Sequence, residues 1–308
     1  MRRKEKRDWL KTGGITAFLA VAVLSFLYAN AGWLFGWEEV PPEAGDSAVG
    51  SVHFIDCGQG DSTLLLSEGT VTLIDTGPRE AGEKIVSYLK ECGVAQIDQL
   101  ILTHPHEDHI GGAEAVLDSF PVKQIYMGKP TEGTEPTTSV FLQLLEKMEA
   151  LGNTIHQPKP EESFTAGQFT YTFLGPLEKY NDLNNQSLVL RAACGKISFL
   201  FTGDQEVGAE EALVARYGTA LRSTVLKVGH HGSRGSSSSA FLEAVAPAYS
   251  VISCGAENPY GHPHQETLEA LKAYGIKTIK TDLAGTIRFL TDGTGLTIEV
   301  EKNDGIQH

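Results

Sequence analysis

The stretch LTHPHEDHIGG, Leu102 to Gly112, sets three histidines and two acids within six residues, directly after an apolar run. Imidazoles and carboxylates that close together repel or compete unless positive charge sits among them, and a divalent cation supplies it. The run before it, DQLILTH, reads as a buried strand, and HIGGAEAVLDSF starts a helix directly after the last histidine. The cluster therefore belongs on a strand-to-helix turn at a strand's carboxyl end, where α/β proteins collect their ligand-binding groups. His104 and His106 alternate along extended backbone and share a side; Asp108 and His109 follow as the chain turns over. Such donors suit zinc, manganese or iron, and four of them exceed what one tetrahedral ion takes from a turn, so two ions are expected.

The surrounding pattern fits that placement. SVHFID, DSTLLLS and TVTLID are short β-type runs, and EAGEKIVSYLKECG switches to helical spacing through Ile85, Val86 and Leu89. QFTYTFLGP, SLVLRAA and KISFLFTGD repeat the strand theme, and EVGAEEALVARYG follows as a helix. STVLKVGHH, YSVISCG and KTIKT then alternate with SSAFLEAVA and QETLEALKAYG, and Asp292-Gly293 marks a final hairpin. Two strand-rich halves, each with helices on one side, predict two sheets face to face with helices outside. The segment 121–167 receives no assignment.

The N-terminus is of another kind. Residues 1–14 form a basic segment, and Ile15 to Trp37 carry no charge over 23 residues, enough to cross a hydrocarbon core. Positive charge before the run predicts a cytoplasmic start and an extracytoplasmic main domain. Trp33 and Trp37 suit an uncleaved anchor at the membrane interface; Ala29, Asn30 and Ala31 offer the alternative, a secreted form cleaved near Ala31. Residues 38–50 read as a linker and 51–302 as the main domain. The first 37 residues carry a net +4 against −14 for the whole chain, which leaves −18 beyond them. That excess opposes broad electrostatic binding to nucleic acid or anionic lipid, though not an anion drawn to a local cation. Cys57, Cys92, Cys194 and Cys254 show no CxxC spacing and read as small buried hydrophobes.

HPHEDHIGG, preceded by LIDTG and followed by FLFTGDQ, resembles the metallo-β-lactamase superfamily. DCGQGDS at 56–62, NNQSLVL at 184–190, KVGHHGS at 227–233 and NPYGHPH at 258–264 narrow the resemblance to the exported hydrolase domain of ComEC-type competence proteins, with phosphorylcholine esterases as relatives. The resemblance covers about residues 51 to 300. It implies an αββα sandwich with the metal centre on one edge, here preceded by one transmembrane helix.

Carried over by position, the resemblance gives His104 and His106 to a first ion, Asp108 and His109 to a second, and Asp204 to the bridge between them. Asp75 would orient a ligand histidine from behind, with Asp56, Asp61 and Asn185 as further supporting residues. GHPH would supply another ligand, His262 or alternatively His264. His230, His231 and Ser233, with Asp108, would act on the substrate by binding a phosphoryl oxygen or protonating the leaving group. Many family members have another histidine where this chain has NNQSLVL; Asn184, Asn185, Ser187 or water would fill that gap, and a single-ion enzyme stays open.

Lactam-hydrolysing relatives usually carry a cysteine where Asp204 stands. An imidazole and carboxylate centre holding two ions, zinc or manganese, suits phosphodiester hydrolysis instead. The expected function is an extracytoplasmic phosphodiesterase or nuclease, with DNA or another exported phosphodiester as substrate and the cytoplasmic membrane as partner. The alternatives are an esterase of choline-bearing wall phosphodiesters and a noncatalytic binding module.

Overall fold

The computed structural model describes residues 41–302, Asp46 excepted. The basic segment and the run from Ile15 to Trp37 lie outside the described residues; among those described, no helix is long and apolar enough to cross a membrane.

In chain order the first half holds β1 (Gly50–Phe54), β2 (Thr63–Ser67), β3 (Thr70–Ile74), α1 (Gly82–Glu91), β4 (Ile97–Leu102), α2 (Glu107–Ile110) and α3 (Ala113–Ser119). The stretch without assignment contains β5 (Val122–Met127), α4 (Ser139–Ala150), β6 (Ile155–His156) and β7 (Ser163–Ala166). Then come β8 (Phe169–Gly175), β9 (Val189–Cys194), β10 (Ile197–Phe201), α5 (Val207–Tyr217), β11 (Val225–Lys227), α6 (Ser239–Val245) and β12 (Tyr249–Ile252). The chain closes with α7 (Gln265–Ala273), β13 (Lys277–Lys280), α8 (Thr281–Ala284), β14 (Ile287–Thr291) and β15 (Leu296–Val300).

The strands form an eight-stranded sheet, β15-β14-β1-β2-β3-β4-β5-β6, and a seven-stranded sheet, β13-β12-β11-β10-β9-β8-β7. Side chains alternate across each strand, and both faces are covered. In β1 to β4, Val52, Phe54, Leu65, Ile74 and Ile101 face the other sheet and meet Phe169, Phe173, Phe199 and Phe201. Their neighbours Leu64, Leu73 and Leu100 point the opposite way, onto Ile85 and Leu89 of α1, Val116 of α3 and Phe141 of α4. On the second sheet Leu200 and Leu226 pack outward against Leu213, Phe241 and Leu271 of α5, α6 and α7. Three separate apolar layers are what an αββα sandwich requires. Cys57, Cys194 and Cys254 are buried and Cys92 is half-buried, all as free thiols.

Part of the segment read as linker is bonded to the domain. Leu296 N donates to Pro42 O at 2.8 Å, and Gly45 N donates to Asp292 Oδ2 at 2.7 Å on the β14–β15 hairpin.

β3 and β4 run parallel, as do β10 and β11. Asp75, His104, Asp204 and His231 each follow the carboxyl end of one of these four strands, so two loops of each sheet meet on one edge of the sandwich.

Candidate metal centre

Asp75 leaves β3 with φ +57 and anchors the site from beneath. Its Oδ1 accepts from Thr103 N at 2.8 Å, and its Oδ2 accepts from Thr103 Oγ1 at 2.7 Å and pairs with His109 Nδ1 at 2.8 Å. That bond places the Nδ1 proton on the Asp75 side and aims Nε2 of His109 at Asp204, where its lone pair would meet an ion.

His109 Nε2 stands 3.2 Å from Asp204 Oδ1, and both atoms are buried with no hydrogen-bond partner. His104 Nε2 lies 3.0 Å from His106 Nδ1 and 3.8 Å from Asp204 Oδ2. His231 Nε2 lies 3.1 Å from Asp108 Oδ2 and 3.6 Å from Asp204 Oδ2. Asp204 belongs to two donor groups, Asp108–His109–Asp204–His231 and His104–His106–Asp204, and a third, Asp61–Asp75–His109, lies behind them around the other side of His109. Donors bound at about 2.1 Å to one tetrahedral ion stand about 3.4 Å apart, so these separations suit metal ligation. Polar atoms so buried are normally satisfied, and the orphaned Nε2 and Oδ1 facing each other mark positions a cation would satisfy. The residues therefore fit divalent ions.

His230 and His231 are neighbours in sequence but do different things. Both take left-handed backbone, φ +48 and +52, a conformation uncommon outside glycine. His231 turns inward, its Nδ1 3.0 Å from Ser253 O, so that Nε2 faces the donor group. His230 turns into the cleft, with Nδ1 3.1 Å from Glu206 Oε1.

The DCGQGDS loop packs against this cluster from the first sheet. Asp61 N donates to Asp108 O at 3.1 Å. A Cβ on Gly60 would lie 2.3 Å from that same oxygen, so only glycine lets the loops approach this closely. Asp61 Oδ2 is held at 2.6 Å by Lys227 Nζ, and its Oδ1 lies 3.4 Å from His231 Nδ1. Lys227 is only 2 % exposed. The motif KVGHHGS gives Lys227 no role by itself; a lysine inside the apolar strand TVLKV is the signal in the sequence.

Other expected site residues lie apart from the two donor groups. Asp56 pairs with Lys84 at 3.4 Å and Lys302 at 3.7 Å. The Ser233 hydroxyl accepts from Gly235 N at 3.2 Å within its own turn. Asn185 bonds Asp182 Oδ2 at 3.0 Å and accepts from Glu206 N at 2.9 Å, and Ser187 Oγ accepts from Asp204 N at 3.1 Å. Of the groups around the absent histidine, Asn184 lines the cleft, and its Oδ1 is buried without a partner. His262 also lines the cleft, its ring centroid 6.3 Å from that of His231, while His264 Nδ1 accepts from Arg234 N at 3.1 Å. Neither His262 nor His264 joins the donor groups.

The electrostatics agree with a cation-seeking pocket. Burial opposes charge on His231, yet Asp204 and Asp61, with hydrogen bonds to Asp108 and Asp61, push it up to about 10. His109 is likewise raised well above the imidazole range, since Asp204 and Asp75 overcome its burial. Burial and the neighbouring His109 hold His104 well below it. Burial opposes ionisation of Asp61, but Lys227 and His231 bring it down to about 2.

The centre opens into a cleft of about 800 Å³ lined on one side by Thr134 to Thr138 and on the other by Pro259, Tyr260 and His262. Comparison with known proteins places this arrangement. Residues 55–256 match the metallo-beta-lactamase superfamily. Competence protein ComA of Neisseria gonorrhoeae is 37 % identical over 260 residues, covering 83 % of this chain and 34 % of that protein. ComE operon protein 3 of Bacillus subtilis (strain 168) is 35 % identical over 263 residues, covering 79 % and 33 %. The chain thus spans about a third of the length of these curated relatives. Among solved structures, the metallo-beta-lactamase fold protein YhfI from Bacillus subtilis superposes with a TM-score of 0.52 at 14 % identity, covering 78 % of this chain and 99 % of that one. With a family match over most of the folded region, two stacked sheets and a His/Asp centre on their shared edge, the chain belongs to the metallo-beta-lactamase superfamily, on the side of its competence-protein members.

Proposed function

We propose that this domain is a divalent-metal-dependent phosphodiesterase acting outside the cytoplasmic membrane, with DNA or another exported phosphodiester as substrate. The observation that carries the reading is Asp204, a carboxylate shared by two donor groups made only of imidazole and carboxylate. Such donors accommodate harder ions, zinc or manganese, and contain no thiolate. His104, His106 and Asp204 would hold one ion, and Asp108, His109, His231 and Asp204 the other. This exchanges the roles expected of His231 and His262.

Bound there, the ions supply the charge that acidifies an attacking water and stabilises the attacking and leaving oxygens of a phosphodiester. The chain's own groups do the rest. Asp75 and Ser253 O fix the tautomers of His109 and His231. His230 lines the cleft, held through Nδ1 by Glu206 with Nε2 3.8 Å from Asp204 Oδ2, and from there would donate a proton to the leaving oxygen. The relatives named for competence and the uncharged run from Ile15 to Trp37 support an exported, membrane-anchored setting.

The test is metal analysis of the full chain together with turnover of bis-p-nitrophenyl phosphate, a short DNA and a cephalosporin, each with zinc and with manganese. Phosphodiester turnover that tracks bound metal is expected. Cephalosporin hydrolysis without phosphodiester turnover would overturn the reading.

A further inference from the structure

The cleft holds an aromatic surface that the metal chemistry leaves unused. Tyr260 is 63 % exposed, and its ring stacks on His262 at 5.7 Å between centroids and 24° between planes. His262 in turn lies 6.3 Å and 29° from His231. Three rings, each tilted by less than 30° from the next, thus lead from a proposed ion ligand out to the exposed Tyr260 in the cleft lining.

The turn that carries Tyr260 is tied down on both sides of it. His262 N donates to Asn258 Oδ1 at 2.9 Å, and Asn258 Nδ2 donates to Gly255 O at 2.9 Å. Gly255 N donates to Gln59 Oε1 at 3.1 Å, which ties the turn to the DCGQGDS loop beside the ions' donors. An aromatic ring held ready in this way loses little freedom when a ligand lands on it.

Charge around the cleft narrows the ligand. Among the described residues no lysine or arginine lines it, and Glu80, Glu107 and Glu135 do. A groove that tracks a polyanionic strand needs cations along its length. This one offers positive charge only where ions bind, so it suits a single phosphate, and further affinity has to come from an uncharged contact.

We propose that Tyr260 is a base-stacking subsite: the cleft takes one phosphodiester at the ions and one unstacked nucleobase on the outer face of Tyr260. The substrate class is then a single-stranded or dinucleotide diester, because bases inside a duplex keep their faces covered. This proposal rests on the phosphodiesterase reading.

The test uses the full chain loaded with manganese and three diesters: a deoxydinucleotide, its abasic counterpart and glycerophosphocholine. Kinetics and calorimetric binding are both followed. Y260A is expected to weaken binding and raise KM for the deoxydinucleotide roughly 5- to 100-fold, the range for loss of one base stack, with kcat retained. The abasic diester should be unaffected, and Y260F and Y260W should behave as the parent. Equal losses on the deoxydinucleotide and the abasic diester would overturn the subsite and make Tyr260 a support for His262. An effect confined to glycerophosphocholine would overturn it in favour of a quaternary ammonium site. Turnover without dependence on Tyr260 refutes this proposal alone, and base-dependent binding to Tyr260 without turnover refutes the phosphodiesterase reading alone. If the parent neither binds nor cleaves any of the three, both fall.

Discussion

Asp204 has one carboxylate oxygen buried with no hydrogen-bond partner, a cost of about 1–3 kcal/mol that a bound cation removes. D204A is therefore expected to lower bound metal and to cut phosphodiester turnover by about 10²- to 10³-fold, measured by elemental analysis beside kinetics. The histidines separate in the same assay. H231A should lose metal, whereas H262A should keep it; loss from H262A alone would restore the role expected from the sequence. Lys227 gives a third case. K227M removes the closest cation from the buried Asp61 carboxylate, leaving His231 beside it, and should cost up to about 3–5 kcal/mol in the urea unfolding of chelated protein, most of it recovered by D61N/K227M. The convergence of His104, His106, Asp108 and His109 was legible because all four lie within six residues on one turn. The late histidines were not, because two adjacent left-handed residues decide which ring faces the centre, and their identities alone do not encode that choice.

At the scale of elements, strand and helix periods were readable wherever an apolar face was continuous. The stretch 121–167 escaped because β5 is half-exposed along most of its length and a loop holding Pro130, Gly133 and Pro136 separates it from α4. A signal for α4 was present: Thr138 caps it by accepting from Phe141 N, and Phe141, Leu144 and Met148 are spaced to face one side. β1 carries a pH-sensitive group of its own. His53 bonds Tyr88 Oη and Ser51 Oγ, each at 2.8 Å, and burial, then Arg288, holds it at about 4 against an ordinary 6.5. Below pH 6.5 the unfolded chain takes up a proton that the folded form refuses, so stability falls as pH drops toward 4 and is unaffected above 6.5. H53Q should remove up to about 2 kcal/mol of that acid loss between pH 7 and pH 5, read as a smaller shift in urea midpoint than the parent shows.

For the whole molecule, the three apolar layers lie within β1 to β15, and Pro42 and Gly45 bond the last hairpin. A chain starting at residue 41 is therefore expected to fold, and one starting at 48 to melt several degrees lower, as followed by circular dichroism. Divalent ion at 100 times its dissociation constant should stabilise the domain by about 2.7 kcal/mol, and a chelator should reverse this.

The donors come from both halves of the sandwich: His104, His106, Asp108 and His109 follow β4 of one sheet, whereas Asp204 and His231 follow β10 and β11 of the other. Ions seated there would act as rivets between two plates otherwise joined by apolar packing and a few polar links such as Asp61–Lys227. In a single-molecule pulling experiment with handles on the two sheets, the rupture force should rise with manganese and fall with chelator. The catalytic centre would then double as the mechanical fastening of the molecule.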